Sequence, residues 1–245
     1  MKQHEAVIQT IEQLGGVATL GQLNQEVFKI KNCVWGTKTP FASIRRIVQQ
    51  RPEIYKIRPG LYGLIKMKRQ NESFGIIEET KKNKDTKEII EFNHSYYQGL
   101  LLILGNLKKF RTFIPNQDKN KAFLNQSLKE IRTINTIPKY TYPNLVQRSS
   151  TIDVIWFNER NMPNSFFEIE HSSDIQNSLL KYNDLQDFFV KMIIVADKSR
   201  QREFENKIKY SSFKEIKNRV LFLDYESLTK QYEQQIQQQQ FATII

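Results

Sequence analysis

The sequence has one cysteine, Cys33, and only three histidines among its 245 residues. A single cysteine excludes an intramolecular disulfide framework and a cysteine-based zinc site, and three histidines make a His-rich metal cluster improbable. The longest apolar run, residues 99–105, is far shorter than the roughly 20 residues that a membrane-spanning helix needs. The N-terminus has no apolar signal region. These absences predict a cytoplasmic protein that does not enter a membrane.

Glycine is also scarce, with nine residues, and none of them forms a Gly-rich phosphate loop. We therefore expect no nucleotide cofactor. Basic residues are abundant: 37 Lys and Arg against 26 Asp and Glu give a net charge of +11. Residues 1–70 hold 12 basic and 4 acidic residues, a net charge of +8. A basic excess in a small N-terminal segment favours a polyanionic partner, most often nucleic acid, although a solubilising surface has the same composition.

The N-terminal segment has the pattern of three helices followed by a β-hairpin. Apolar residues recur at helical spacing in residues 5–14, and a second helix begins at Thr19 or Gly21. Thr39 and Pro40 are a favourable N-cap and first helical residue for a third helix that runs to about Gln50. Residues 54–58 and 61–65 flank a Pro-Gly turn. Three helices and a β-wing predict a winged helix-turn-helix.

Residues 42–46 and 55–64 resemble the corresponding parts of HARE-type helix-turn-helix domains, which accompany restriction and chromatin proteins. A winged helix of this kind places its third helix in the major groove of duplex DNA. Arginine pairs with guanine and glutamine with adenine, which makes Ser43, Arg46, Gln49 and Gln50 candidate base readers. Further candidate contacts, mainly to phosphates, are Lys38, Thr39, Arg45, Lys56, Arg58 and Lys66. A protein-binding winged helix with an ordinary solvated face is the alternative.

Two acidic residues on neighbouring strands form the second candidate site. Residues 151–157 and 165–171 read as a β-hairpin around turn-forming residues 158–164. Because side chains alternate along a strand, Glu168 and Glu170 share one face. Asp153 interrupts an otherwise apolar strand, where an unpartnered carboxylate is costly, so a cation facing Asp153 and Glu168 is a natural explanation. Solvated strand acids are the alternative.

This pattern, Asp153 followed by Glu168-Ile169-Glu170, resembles the active site of the PD-(D/E)xK nuclease superfamily. Glu170 occupies the position that is usually lysine, a variant also found among type II restriction endonucleases. The resemblance implies that Asp153, Glu168 and the Ile169 carbonyl bind Mg²⁺ and that Asp153, Glu168 and Glu170 are catalytic. The departure at Glu170 leaves its role open between orienting water and binding a second metal. Possible accessory residues are Glu91, Gln98, His171, Gln176 and Lys181; His94 and Gln98 have core-edge hydrogen bonding as their alternative.

The pattern beyond residue 90 predicts helix, strand, strand pair with the acids, helix, strand, helix and strand, which contains the αβββαβ order of the PD-(D/E)xK core. The predicted fold class is therefore mixed α+β or α/β. Its domains are a winged helix-turn-helix at 1–68, a linker at 69–90 and a PD-(D/E)xK nuclease-like domain at 91–245.

The resulting hypothesis is a sequence-specific, Mg-dependent endonuclease of double-stranded DNA, similar to type II restriction enzymes. Cleavage of two strands by one site per chain favours a homodimer. A catalytically inactive DNA-binding regulator and a protein-interaction module are the alternatives. Metal dependence separates the first hypothesis from the others, and salt-sensitive duplex binding separates the second from the third.

Overall fold

The computed structural model describes residues 1–242, and for residues 241 and 242 the backbone only. Within these residues the chain forms two units, one made of residues 1–92 with 229–242 and the other of residues 93–228. No helix in the described part of the chain is long and apolar enough to cross a membrane. Both units combine helices and strands, which confirms the predicted mixed α/β class.

The first unit begins with three helices and a small sheet. Its elements are α1 Gln3–Gln13, β1 Val17–Thr19, α2 Leu20–Glu26, α3 Pro40–Gln50, β2 Ile54–Arg58, β3 Leu61–Leu64 and α4 Lys68–Ser73. The sheet has the order β1-β3-β2 and is antiparallel throughout. Apolar side chains from all three of the first helices and from the strands share one buried core, in which Val7, Leu23, Ile44 and Tyr62 are members. The predicted helices and hairpin are confirmed.

Local sequence explains the ends of these elements. Thr19 caps α2 by accepting a hydrogen bond from the Gln22 amide at 3.0 Å, while Gln22 Oε1 accepts from the Thr19 amide at 2.9 Å. Gly60 adopts a φ of +67° in the turn between β2 and β3, a conformation that glycine adopts without steric cost. Pro40 occupies the first turn of α3 as predicted. Thr39 is the N-cap residue, as predicted, although its side chain makes no capping hydrogen bond.

The last helix, α10 Tyr225–Ala242, continues into the first unit from residue 229. Tyr232 and Ile236 are buried, and the Tyr232 hydroxyl lies 3.1 Å from Thr19 Oγ1. Gly21 of α2 leaves room for both side chains, because a Cβ there would lie 2.6 Å from an atom of each. Residues 229–242 therefore group with the N-terminal unit, whereas the sequence analysis places them in the predicted nuclease-like domain at 91–245. Residues 243–245 of that predicted domain lie outside the described residues.

The second unit is built on a five-stranded mixed sheet. Its elements are the greater part of α5 Lys87–Leu107, then β4 Arg111–Phe113, β5 Ala122–Phe123, β6 Gln126–Ser127, α6 Leu128–Ile131, α7 Pro143–Ser149, β7 Val154–Phe157, β8 Pro163–Glu170, α8 Ile175–Asp184, β9 Lys191–Ala196, α9 Gln201–Lys207 and β10 Val220–Asp224. The strand order is β10-β9-β8-β7-β4. Strands β4, β7 and β8 are antiparallel neighbours, and β8, β9 and β10 are parallel.

Strand β8 lies at the centre of this sheet and is buried on both faces. On one face, Phe166 joins a core that includes Leu179 and Tyr182 of α8. On the other face, the Trp156 indole of β7 donates a hydrogen bond to the Leu101 carbonyl of α5 at 3.0 Å. The central helix 92–108, the acid-bearing hairpin and the following helix and strand were all predicted, and their positions confirm the predicted order of elements.

Two segments differ from the sequence prediction. The sequence pattern of residues 123–131 predicts helical turns, but the short strand pair β5–β6 comes first and α6 forms the helical part. Helix α7 was not predicted, because Pro138 and Pro143 suggested irregular chain; Pro143 instead occupies the first turn of α7, where its missing N–H costs nothing.

Candidate active site

Asp153 lies one residue before β7 and is held by the backbone of β8. Its Oδ2 accepts a hydrogen bond from the Ile169 amide at 2.7 Å. Within a regular strand the N–H and C=O of one residue point to the same side, so the Ile169 carbonyl points toward the same edge as Asp153. The antiparallel register pairs Val154 with Phe167, which places Asp153 opposite Glu168. The predicted juxtaposition of the two acids is present in the structure.

Glu168 forms an ion pair with Lys181 of α8. Glu168 is 2% exposed, and its Oε2 lies 2.7 Å from Lys181 Nζ. Ser178, one helical turn before Lys181, donates to the same oxygen at 3.0 Å. Lys181 Nζ also donates to the Thr151 carbonyl at 3.2 Å. Lys181 therefore joins the Glu168 carboxylate to the backbone just before Asp153.

The balance of burial and neighbouring groups raises the pKa values of Glu168 and Lys181 and lowers the pKa of Asp153. Burial and the nearby charge of Asp153 raise the pKa of Glu168 well above its ordinary value, and Lys181 only partly opposes this shift. Burial alone would lower the pKa of Lys181, but the charge and hydrogen bond of Glu168, together with the charges of Asp153 and Glu170, outweigh it and the net direction is upward. Burial opposes ionisation of Asp153, yet its contacts with His94 and the Ile169 amide hold its pKa below the ordinary value. Asp153 is therefore the more readily ionised of the two acids.

Glu170 lies on the same face of β8 but makes different contacts. It is 5% exposed. Ser173 donates a hydrogen bond to its Oε2, and Ser178 contacts its Oε1 with the single hydroxyl proton that it shares with Glu168 Oε2. Burial raises the pKa of Glu170 despite these hydrogen bonds. Both carboxylate oxygens of Glu170 therefore have hydroxyl partners, and Ser178 lies between Glu168 and Glu170.

The acidic side chains of the site offer oxygen ligands of the kind that Mg²⁺ prefers. In the described residues no group of three or more His, Cys, Asp or Glu side chains is arranged to hold a metal. Magnesium is usually held by one or two carboxylates, with waters and substrate phosphates completing its shell. Glu168 Oε1 is buried without a hydrogen-bond partner, which is costly unless something binds it. Asp153, Glu168 Oε1 and the Ile169 carbonyl therefore fit Mg²⁺, and do not form a closed protein cage.

Two side chains of α5, His94 and Gln98, contact Asp153. His94 Nε2 lies 3.3 Å from Asp153 Oδ2, and burial of His94 is outweighed by this contact, so its pKa is raised. Gln98, one turn later, donates to the Asp153 carbonyl at 3.1 Å and to Asp118 Oδ2 at 2.9 Å. Asp118 is 3% exposed and pairs with Lys121 at 2.6 Å. Gln98 thus contacts the site through the backbone of Asp153.

The contacts described for three other predicted accessory residues are with residues other than Asp153 and Glu168. Glu91 belongs to the first unit, where its exposed side chain lies 3.7 Å from Lys87 Nζ. His171 Nδ1 lies 3.2 Å from Asn93 Nδ2, and its ring stacks on Tyr225. Gln176 belongs to the first turn of α8, where its amide donates to the Asp174 side chain. None of these contacts links Glu91, His171 or Gln176 to Asp153 or Glu168.

In the first unit, helix α3 presents the predicted base readers on one side. Ile44 and Val48 are buried, and Arg46, Gln49 and Gln50 are exposed. Ser43 is half-buried; Lys38, Thr39, Lys56 and Lys66 are exposed. These residues keep the accessibility that contact with a polyanion requires.

Two arginines in this group have protein partners. Arg45 Nη2 lies 2.6 Å from Glu233 Oε2, and its side chain is still 47% exposed. Arg58 is 3% exposed: it donates to the Ile57 and Ile77 carbonyls, lies 3.3 Å from Glu79 Oε2 and covers the Phe92 ring. Arg58 therefore stabilises this unit and has too little exposure to serve as the surface phosphate contact that the sequence suggested.

Sequence reasoning missed Ser178 as part of the site. Ser178 and Lys181 are three residues apart on α8 and therefore share a helical face, which is the signal that could have identified the serine once Lys181 was considered. Asp118 carried no such signal, because it comes from a loop whose path depends on contacts with α5.

Comparison with known proteins supports one family. Residues 76–244, more than half of the chain, match the model of a family described as "Type II restriction enzyme NmeDI C-terminal domain". The search of curated proteins and the search of solved structures each gave no match. The matched range contains every residue of the site around Asp153.

Proposed function

Because the chain belongs to the family of the type II restriction enzyme NmeDI C-terminal domain, we propose that it is a Mg-dependent endonuclease that cleaves double-stranded DNA at a specific sequence. One observation carries the proposal: Asp153 accepts a hydrogen bond from the Ile169 amide, next to Glu168, whose Oε1 is buried without a hydrogen-bond partner and whose Oε2 pairs with Lys181. The αβββαβ order of α5, β4, β7, β8, α8 and β9 supports a PD-(D/E)xK core.

In this proposal Asp153, Glu168 and the Ile169 carbonyl hold Mg²⁺. The metal, when bound, would polarise the scissile phosphate and lower the pKa of the attacking water. Lys181 brings a positive charge next to Glu168, where it can neutralise negative charge that develops on the phosphate. His94 and the Ile169 amide keep Asp153 ionised and oriented. Burial of Glu168, Glu170 and Ser178 excludes water from the side of the site that faces α8.

The proposal is tested by digestion of plasmid and viral DNA with the wild-type protein, with and without adenine or cytosine methylation. We expect discrete fragments in Mg²⁺ and intact DNA in EDTA, because EDTA removes the metal that would polarise the phosphate and activate the water. Intact DNA in Mg²⁺ on every substrate, together with salt-sensitive duplex binding, would contradict cleavage and favour a catalytically inactive DNA-binding regulator.

We also propose that the first unit is a winged helix-turn-helix that reads DNA through α3. Its exposed face supports this role with Arg46, Gln49 and Gln50, and Lys38 and Lys56 are exposed for phosphates. Arg45 is a weaker candidate because it pairs with Glu233, and Arg58 is excluded by its burial.

Arg46→Ala is therefore expected to weaken specific duplex binding by about 1–3 kcal/mol, the contribution of one bidentate Arg–guanine pair. Titration of a labelled cognate duplex at fixed salt would measure this change. Arg69→Ala is the matched control, because it removes the same charge from an exposed position on α4. Equal losses for both variants would show that α3 contributes charge alone and would contradict base reading by Arg46.

A further inference from the structure

Glu170 lies where the PD-(D/E)xK pattern that this sequence resembles has lysine, and its oxygens contact two serine hydroxyls. Ser173 donates to Oε2, and Oε1 contacts the Ser178 hydroxyl, whose one proton is shared with Glu168 Oε2. Glu168, two residues earlier, keeps Oε1 without a hydrogen-bond partner. Glu168 and Glu170 lie on the same face of β8, but both oxygens of Glu170 are hydrogen-bonded whereas Glu168 has one oxygen available to a metal.

Ser178 connects the two carboxylates. Its side chain is 1% exposed, and its hydroxyl lies 3.0 Å from Glu168 Oε2 while also contacting Glu170 Oε1. Lys181 contacts the same Glu168 oxygen from the same helical face. Together Ser178 and Lys181 hold Glu168 Oε2 toward α8, which leaves Oε1 as the oxygen without a hydrogen-bond partner.

We propose that Ser178 is a positioning residue for the metal ligand Glu168, and that Glu170 acts through Ser178 instead of binding metal itself. Glu170 anchors the hydroxyl, the hydroxyl and Lys181 anchor Glu168 Oε2, and Glu168 Oε1 is thereby presented to the cation. Outer partners of this kind orient metal ligands and commonly change metal affinity 10- to 100-fold when removed. The inference rests on the proposed function, because it requires that Glu168 bind a metal.

The test measures Mn²⁺ binding to the full-length protein without DNA, by electron paramagnetic resonance of the free ion. Ser178→Ala is expected to weaken Mn²⁺ binding by about 10- to 100-fold. Ser178→Thr keeps the hydroxyl and is expected to retain most of the affinity. Ser165→Ala is the matched control, because it removes a buried hydroxyl from β8 that bonds Asn164 and not the acids.

Glu170→Gln separates an indirect from a direct role. If Glu170 acts through Ser178, Glu170→Gln weakens binding in the wild-type background and adds nothing in the Ser178→Ala background. Additive losses would show that Glu170 binds metal directly and would overturn the inference, as would unchanged affinity in Ser178→Ala. These last two outcomes leave the proposed function intact. Absence of both Mn²⁺ binding and Mg-dependent cleavage in the wild-type protein would overturn both.

Discussion

Asp153→Asn is expected to reduce Mg-dependent DNA cleavage by more than about 100-fold, which is the upper range for loss of an outer partner of a metal ligand. Asparagine keeps the volume of Asp153 and an oxygen that accepts from the Ile169 amide, so the hairpin is preserved. What is lost is the negative charge that would hold the cation. Single-turnover cleavage of a duplex containing the recognition site would measure the change in the chemical step.

Asp184→Asn is the control for Asp153→Asn. Asp184 lies on α8, is 52% exposed and pairs with Arg148, so the same change of charge occurs in the same unit at a solvated position. We expect its cleavage rate to be unchanged and duplex binding to persist in both variants. A fully active Asp153→Asn protein would remove Asp153 from the proposed site.

Lys181→Met is expected to lower the free energy of unfolding by about 3–5 kcal/mol and to abolish cleavage. The lysine is the ion-pair partner of a carboxylate that is 2% exposed, and removal of one partner of a buried pair leaves an uncompensated charge. The double variant Lys181→Met with Glu168→Gln removes both charges and should recover most of the lost stability, but not the cleavage. Urea unfolding monitored by tryptophan fluorescence would measure the stabilities.

Lys214→Met provides the surface comparison for Lys181→Met. Lys214 and its neighbour Glu215 form an exposed pair, and such pairs contribute at most about 1 kcal/mol. If the Lys181→Met protein were as stable as the Lys214→Met protein, the buried Glu168–Lys181 pair would not contribute the stability that we expect from it. If the double variant cleaved DNA, neither Lys181 nor Glu168 would be required for catalysis.

The acid pair could be predicted from sequence because it depends on local rules. Alternation along β8 places Glu168 and Glu170 on one face, and a hairpin brings Asp153 opposite Glu168. The helix that carries Lys181 was also predicted from its apolar spacing. These features follow from periodicity and from the short connection between two strands, and each of them requires little knowledge of the remaining chain.

The contacts that determine what each acid can do were not predictable in the same way. His94 and Gln98 reach Asp153 because α5 packs on the sheet at one particular rotation, and the helix is apolar on more than one face. Ser178 joins Glu168 to Glu170 because α8 lies over β8 at one height. A rotation of either helix by one residue would replace these side chains, and no spacing in the sequence fixes that rotation.

Arg58 shows the same limit in the first unit. A basic residue beside a Pro-Gly turn has the composition of a phosphate contact, and sequence alone gives no sign that Glu79 and Phe92, more than 20 residues away in the chain, meet its guanidinium. Tertiary contacts between distant residues decided its burial, and burial decided its role.

The return of the last helix to the N-terminal unit has a consequence for protein engineering. Tyr232 and Ile236 fill the space that Gly21 leaves open, and Glu233 pairs with Arg45 on the helix proposed to read DNA. If residues 1–68 were fused to another protein, they would lose Tyr232 and Ile236, which pack against Gly21. They would also lose Glu233, the ion-pair partner of Arg45. A transplantable cassette for changing sequence specificity would therefore need residues 1–92 together with 229–242, with another unit inserted between these two segments.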